Sequence, residues 1–146
     1  MAIREKKLTT IEKVILLKSV DIFDPATVEQ LGRIAGLTEE VYYQSGQTIF
    51  EAGQPGDALY FLLSGRVVLE KNGAPAGEIK EKEPFGVLPA LDLQPRLFTA
   101  KAAGPVHALK LNAKDFHDLL SLDIELVQAV LRALCRRIRE GRFTMG

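Results

Sequence analysis

Residues 44–65 read Gln-Ser-Gly-Gln-Thr-Ile-Phe-Glu-Ala-Gly-Gln-Pro-Gly-Asp-Ala-Leu-Tyr-Phe-Leu-Leu-Ser-Gly. Five consecutive apolar residues, Leu59 to Leu63, make a strongly apolar strand. Gly46, Gly53, Gly56 and Gly65 mark turns on either side, and Gly73 and Gly77 continue the series. Short strands broken by glycines at such intervals are the pattern of a compact β structure. Val67 to Leu69 is the next strand, and Asn72-Gly73 after it is the strongest hairpin signal in the chain, because a type I′ turn needs positive φ at both central residues. Phe98 to Ala103 and Val106 to Leu111 make two further strands around Gly104-Pro105.

Helical periodicity brackets this β segment. Thr9 with Glu12 matches a capping box, and Ile11, Val14, Ile15 and Leu17 then give the first helix an apolar side. Asp24-Pro25 reads as the start of a second helix, with Asp24 as its cap, Val28, Leu31 and Ile34 along one face and Gly36 as its stop. After Leu111, Asn112 caps a short helix carrying Phe116, Leu119 and Leu120. A longer helix follows, with Leu126, Val127, Val130, Leu131, Leu134 and Ile138 as its apolar stripe. Such a stripe is either core or a dimer seam, and the pattern alone does not separate the two. The expected layout is α+β: N-terminal helices over 8–36, a β-roll over 41–111 and C-terminal helices over 112–140, in one domain spanning 1–146.

Composition narrows the function classes. The 146 residues suffice for one compact domain, and 47% hydrophobic with 26% charged is ordinary for a soluble protein. Lys+Arg and Asp+Glu number 19 each, so no positive excess serves a phosphate backbone, and nucleic acid is not the expected partner. The basic concentration at Arg132, Arg136, Arg137, Arg139 and Arg142 suits the negative end of a helix dipole. No apolar run approaches the roughly 20 residues that cross a bilayer. The N-terminus, with Arg4, Glu5, Lys6 and Lys7 ahead of a helical pattern, lacks the apolar core and cleavage site expected of a signal peptide. A single cysteine, Cys135, permits no internal disulfide and suits a reducing compartment, so the expected location is the cytoplasm. His107 and His117 lack metal spacing, Cys135 has no partnered histidine, and the acidic residues form no catalytic pattern, so no enzyme is expected.

Two segments carry a family resemblance. Residues 44–65 resemble the signature of cyclic-nucleotide-binding domains: a glycine turn, a short apolar strand, G-x-x-G-D, then L-Y-F-[IL]-[IL]-x-G. Residues 85–102, F-G-V-L-P-A-L-D-L-Q-P-R-L-F-T-A-K-A, resemble the same family's phosphate-binding cassette, F-G-E-[LIM]-A-L-L-x-x-x-P-R-x-A-T-V-x-A, without a gap. The likeness extends over about residues 8–140 and includes catabolite activator protein and the regulatory subunits of protein kinase A. It implies a double-stranded β-helix, a jelly-roll-like β-roll flanked by helices. It also implies a regulatory domain that takes cyclic AMP, cyclic GMP or another phosphate-containing anion, with no other cofactor and no metal. The opening L-T-T-I-E-K-V-I-L-L-K-S-V-D-I-F, residues 8–23, resembles the lead-in of such domains fused behind bacterial membrane transporters or helical-repeat proteins. The expected chain is therefore a module of a larger protein, placed at the membrane if the parent is a transporter.

The resemblance implies roles for Gly86, Val87, Leu88, Arg96, Leu97, Phe98 and Thr99. In the family a short helix aims its free amides at the cyclic phosphate, an arginine completes the charge, and a glutamate accepts from the ribose 2′-hydroxyl. Gly86, Arg96 and Thr99 match. The glutamate position holds Val87, which accepts no hydrogen bond, and Pro89 removes an amide from the first turn. Loss of the ribose partner should weaken binding by about 1–3 kcal/mol. Leu97 and Phe98 replace small residues, and they either fill the ligand space or pack into the core as strand residues. Two readings follow: a sensor with weak or altered ligand binding, and a ligand-free module that docks or dimerises through the C-terminal helix. A DNA-binding regulator, which would need a further helix-turn-helix beyond Ile138, is not expected from the eight or so residues that follow, unless the chain is a truncated fragment.

Overall fold

The computed structural model describes residues 7–23 and 25–141. The expectations for Arg4, Glu5, Lys6, Asp24 and Arg142 lie outside the described residues. The elements run α1 (Thr10–Lys18), a 3₁₀ turn (Asp21–Phe23), α2 (Val28–Leu37), β1 (Thr38–Tyr43), β2 (Thr48–Phe50), β3 (Ala58–Ser64), β4 (Val67–Lys71), β5 (Ala74–Ile79), β6 (Pro84–Phe85), α3 (Val87–Asp92), β7 (Thr99–Ala102), β8 (Val106–Asn112), α4 (Ala113–Leu122) and α5 (Ile124–Arg139). Strands form two antiparallel sheets, ordered β1-β8-β3-β6 and β2-β7-β4-β5. Chain order and sheet order together give the jelly-roll-like β-roll with helices on one side.

The apolar run on β3 has a direct structural cause. Leu59 and Phe61 face the helices and pack with Phe23, Leu31, Ile34, Leu109, Leu111 and Phe116. Ala58, Tyr60 and Leu62 face the roll interior with Phe50, Val67, Leu69, Phe85 and Ala108. A strand buried on both faces reads as a continuous apolar run, because period-two alternation then has no polar side to show. Phe23 is the wedge between layers: its ring centroid lies 5.3 Å from Phe61 and 6.1 Å from Phe116. The Asn72-Gly73 turn joins β4 to β5 with φ of 54° and 78°, as the I′ type requires.

Several expectations need correction. The capping box of α2 is Thr27 with Gln30, one turn later than the Asp24-Pro25 signal; Thr27 Oγ1 accepts from the Gln30 amide at 3.2 Å. Gly36 sits inside that helix, which passes directly into β1 at Thr38, so the roll begins before Val41. Phe98 and Ala103 fall outside β7. On α1 the Thr9 and Glu12 capping box holds, but Ile11 and Ile15 are 73% and 65% exposed, because the helix rests on the core through Val14 and Leu17. The α5 stripe divides in two. Leu126, Ala129, Val130 and Ala133 are buried with Arg137, whereas Leu131 and Ile138 face outward.

Candidate functional site

The cassette is built on two glycines that nothing larger replaces. Gly86 caps α3 at φ 71°, and a Cβ there would stand 2.8 Å from Nη1 of Arg96. Gly56 lies against Pro89: a Cβ would sit 2.4 Å from the Pro89 carbonyl carbon and oxygen. α3 itself has six residues, with Pro89 in its first turn, where a missing N–H breaks no helical bond. Leu93 closes it at φ 58°. The returning chain is stitched to the loop before β3: Arg96 N donates to Gln54 O at 2.8 Å and Gly53 N to Arg96 O at 2.8 Å.

Arg96 is 2% exposed. Its Nη2 donates to Ala58 O at 2.7 Å and stands 3.3 Å from Asp57 Oδ1, while Nη1 reaches Gly86 O at 3.5 Å. The guanidinium carbon lies 3.9 Å above the Phe50 ring, a cation–π contact in a desolvated setting. Burial pulls its pKa below the ordinary arginine value, opposed by Tyr60 and by Asp57, and arginine's value is so high that the group stays charged. Nε alone is buried with no partner among the described residues. Around it the roll interior is aromatic: Tyr60 stacks on Phe85 at 5.0 Å, and Phe50 lies 5.9 Å from Tyr60. Burial raises the Tyr60 hydroxyl well above the usual tyrosine range and raises Tyr43, with which Tyr60 shares a hydrogen bond.

The structure separates the residues that the resemblance grouped. Gly86 and Arg96 meet behind α3. Val87 is fully buried in the helix-side cluster with Phe23 and Leu126, so its position is recruited into the core. Leu88 and Leu97 are 41% and 58% exposed, so Leu97 is not packed into the roll core. Phe98 is half-buried, packs at the edge of the roll cluster and carries Lys71 Nζ 5.9 Å above its ring. Thr99 Oγ1 accepts from the Ala52 amide at 3.1 Å, holding the loop in place. Three contributors were missed as site residues. Asp57 stood in the quoted G-x-x-G-D motif, and Phe50 and Tyr60 in the adjoining strands. His117, read only as a lone histidine, bonds Ala90 O at 2.8 Å and so ties α4 to α3.

A glycine-capped cassette helix laid on a β-roll, with an arginine sealed behind it, defines a β-roll regulatory domain. The chain belongs to the cyclic nucleotide-binding domain family, whose model matches residues 40–123. It is 36% identical over 112 residues to a cAMP-dependent protein kinase regulatory subunit of Aspergillus niger, covering 75% of this chain and 26% of that one. It is 30% identical over 127 residues to an uncharacterized NTE family protein of Mycobacterium tuberculosis, covering 86% of this chain and 22% of the relative. Among solved structures, the N-terminal domain of a transcriptional regulator from Streptomyces coelicolor aligns with TM-score 0.77 at 29% identity, over 90% of this chain and 97% of that one. The chain spans about a quarter of the length of these two curated relatives. Among the described residues no helix is long and apolar enough to cross a membrane.

Proposed function

We propose that residues 1–146 form one regulatory, non-catalytic module of a larger cytoplasmic protein, whose cassette binds cyclic AMP and cyclic GMP only weakly. The observation that carries this reading is the fate of Val87 and Pro89. Val87 is committed to the apolar core where the family motif asks for a ribose acceptor, and Pro89 has no amide to offer. Arg96 supports it: Ala58 O, Asp57 and the Phe50 ring already occupy the guanidinium, so an incoming phosphate must displace these contacts or rely on Nε. Calorimetric titration with both nucleotides up to millimolar ligand tests it. The expected result is no micromolar binding, and a tightening of about tenfold in Pro89→Ala from one restored donor. Micromolar binding by the unaltered domain, lost in an Arg96→Ala variant that still unfolds cooperatively, would overturn it.

A second reading, dimerisation through α5, is favoured by one specific pattern. Ile124, Leu131 and Ile138 repeat every seven residues on the outer side of α5, at 69%, 54% and 61% exposed, flanked by the half-buried Val127 and by Leu134, which packs partly on the core. Three apolar residues seven apart are one row of a coiled-coil seam over two heptads. Sedimentation should show a dimer at high micromolar concentration and a monomer for Leu131→Lys; a monomeric unaltered chain would dismiss the seam.

A further inference from the structure

The outer side of α5 is divided by charge along its length. At about 100° per residue, Ile124, Gln128, Leu131, Cys135 and Ile138 share one sector of the helix, opposite the buried Leu126, Ala129, Val130, Ala133 and Arg137. All of these outward residues are exposed. Their steps of four, three, four and three are those of the seam between two helices. One flank of the seam carries Glu125, Arg132 and Arg139, all exposed and seven apart. The other flank is apolar, with the half-buried Val127 and Leu134.

The two ends of this face have opposite sign. At the start of α5, Glu125 and Glu29 of α2 line one cleft with Val28 and Leu122, and Arg33 in that cleft is committed to Asp123 at 2.9 Å. At the far end Arg136 and Arg137 turn toward Asp21, so Arg132 and Arg139 give the outer flank its positive charge. An acidic helix laid here would match Arg132 and Arg139 but would meet Glu125 and Glu29 at the other end. A reversed copy of the face matches both. With Leu131 of one copy opposite Cys135 of the second, Gln128 falls opposite Ile138, and Glu125 falls beside Arg139 of the second copy, twice by symmetry. Arg132 meets its counterpart on the two-fold axis, one repulsion against two attractions. Parallel pairing instead sets Arg132 and Arg139 against Val127 and Leu134 of the other copy and leaves Glu125 with no cation across the seam. Antiparallel pairing also lays the positive end of each helix dipole beside the negative end of the other.

We infer that two copies of this chain pair antiparallel along the outer face of α5, held in register by Glu125 of each copy against Arg139 of the other. This rests on the dimer reading above and adds the orientation, which fixes where the two domains point. Two chains test it, Gln128→Cys and Ile138→Cys, each in a Cys135→Ser background and all at exposed positions. Mixed and mildly oxidised, they should give a disulfide-linked species containing one of each, and neither should cross-link when oxidised alone. Like positions in the antiparallel pair lie about ten residues out of register, or about 15 Å along the axis, well beyond the roughly 7 Å between Cα atoms that a disulfide spans. Parallel pairing gives the reverse pattern, each chain linking only to itself. In sedimentation, Glu125→Arg should weaken self-association by about fourfold or more, because two attractions become repulsions, and adding Arg139→Glu should restore it. A dimer that gives no mixed cross-link, or whose strength Glu125→Arg leaves unchanged, would overturn the antiparallel arrangement and leave the dimer standing. A chain that stays monomeric at high micromolar concentration would overturn both.

Discussion

Replacing Gly56 by alanine should unseat the cassette helix. The new Cβ would fall 2.4 Å from the carbonyl carbon and oxygen of Pro89 and 2.5 Å from its Cβ, where ordinary contact begins at 3.4 Å. Two of these atoms are backbone, so no rotamer change relieves the clash, and α3 must retreat by about 1 Å. α3 is held at Ala90 by the 2.8 Å bond to His117 and at Gly86 by Arg96, and a shift of that size stretches both. Overpacking of this kind costs about 1–3 kcal/mol, and loss of the His117 bond adds about 1 kcal/mol. At roughly 3–4 °C per kcal/mol for a domain of this size, the midpoint should fall by about 6–16 °C. Urea and thermal unfolding measure it, with Gly36→Ala as the comparison: Gly36 is helical and a Cβ there meets nothing within 4 Å. That control should gain about 0.5–1 kcal/mol from helix propensity. If Gly56→Ala proves as stable as the unaltered chain, and the α3 amides exchange no faster, the close approach of Gly56 to Pro89 is not what positions the cassette.

Two further outcomes follow from polar contacts. Burial of Glu40 opposes its ionisation, but the Leu8 amide at 2.8 Å and His107 at 2.9 Å outweigh it and hold its pKa below the ordinary glutamate value. A carboxylate depressed on folding stabilises fully above its unfolded pKa and loses that contribution as pH falls through the folded one. Stability should therefore decline below about pH 4.5, the ordinary glutamate value, and Glu40→Gln should flatten that acid limb in urea titrations at several pH values. Asp123→Ala should cost about 1–2 kcal/mol, because Asp123 Oδ1 caps α5 through the Leu126 amide at 3.0 Å. Its pairing with the half-exposed Arg33 at 2.9 Å should contribute less than about 1 kcal/mol in a double-mutant cycle with Arg33→Ala.

The order of elements was legible because glycine spacing, capping boxes and the apolar run of β3 are local signals. Thr9, Asn112 and Asn72-Gly73 each act through neighbours a few residues away, and each stands where its pattern placed it. What failed depends on three-dimensional direction. Thr27 with Gln30 outcompeted Asp24-Pro25 because two reciprocal hydrogen bonds define the start of α2. Ile11 and Ile15 were misread because helical periodicity names a face without saying which face meets the core. Arg96 was legible as a cassette residue, but its inward turn rests on Ala58 O and the Phe50 ring, groups of distant sequence whose positions the roll sets.

The cassette positions that depart from the family motif are packed into the domain, and the helix they form is tied to its neighbours. Val87 joins the cluster of Phe23, Leu126 and Val130, Ala90 O receives His117 of α4, and Pro89 seats against Gly56. α3 thus takes its position from the packing of α4, α5 and the 3₁₀ turn. A ligand shifts an equilibrium only by its differential affinity for the two states, so on the weak binding proposed above a cyclic nucleotide would have little leverage over α5. A partner of α5 that has its own differential affinity for the two states, a second copy along its outer seam or a segment of a parent chain, would bias the cassette through the same contacts, whether or not a nucleotide binds. On this reading the direction of control runs from the helices to the roll. The distinguishing signature is a change in amide protection of residues 86–92 on α5 association, with cyclic nucleotide absent.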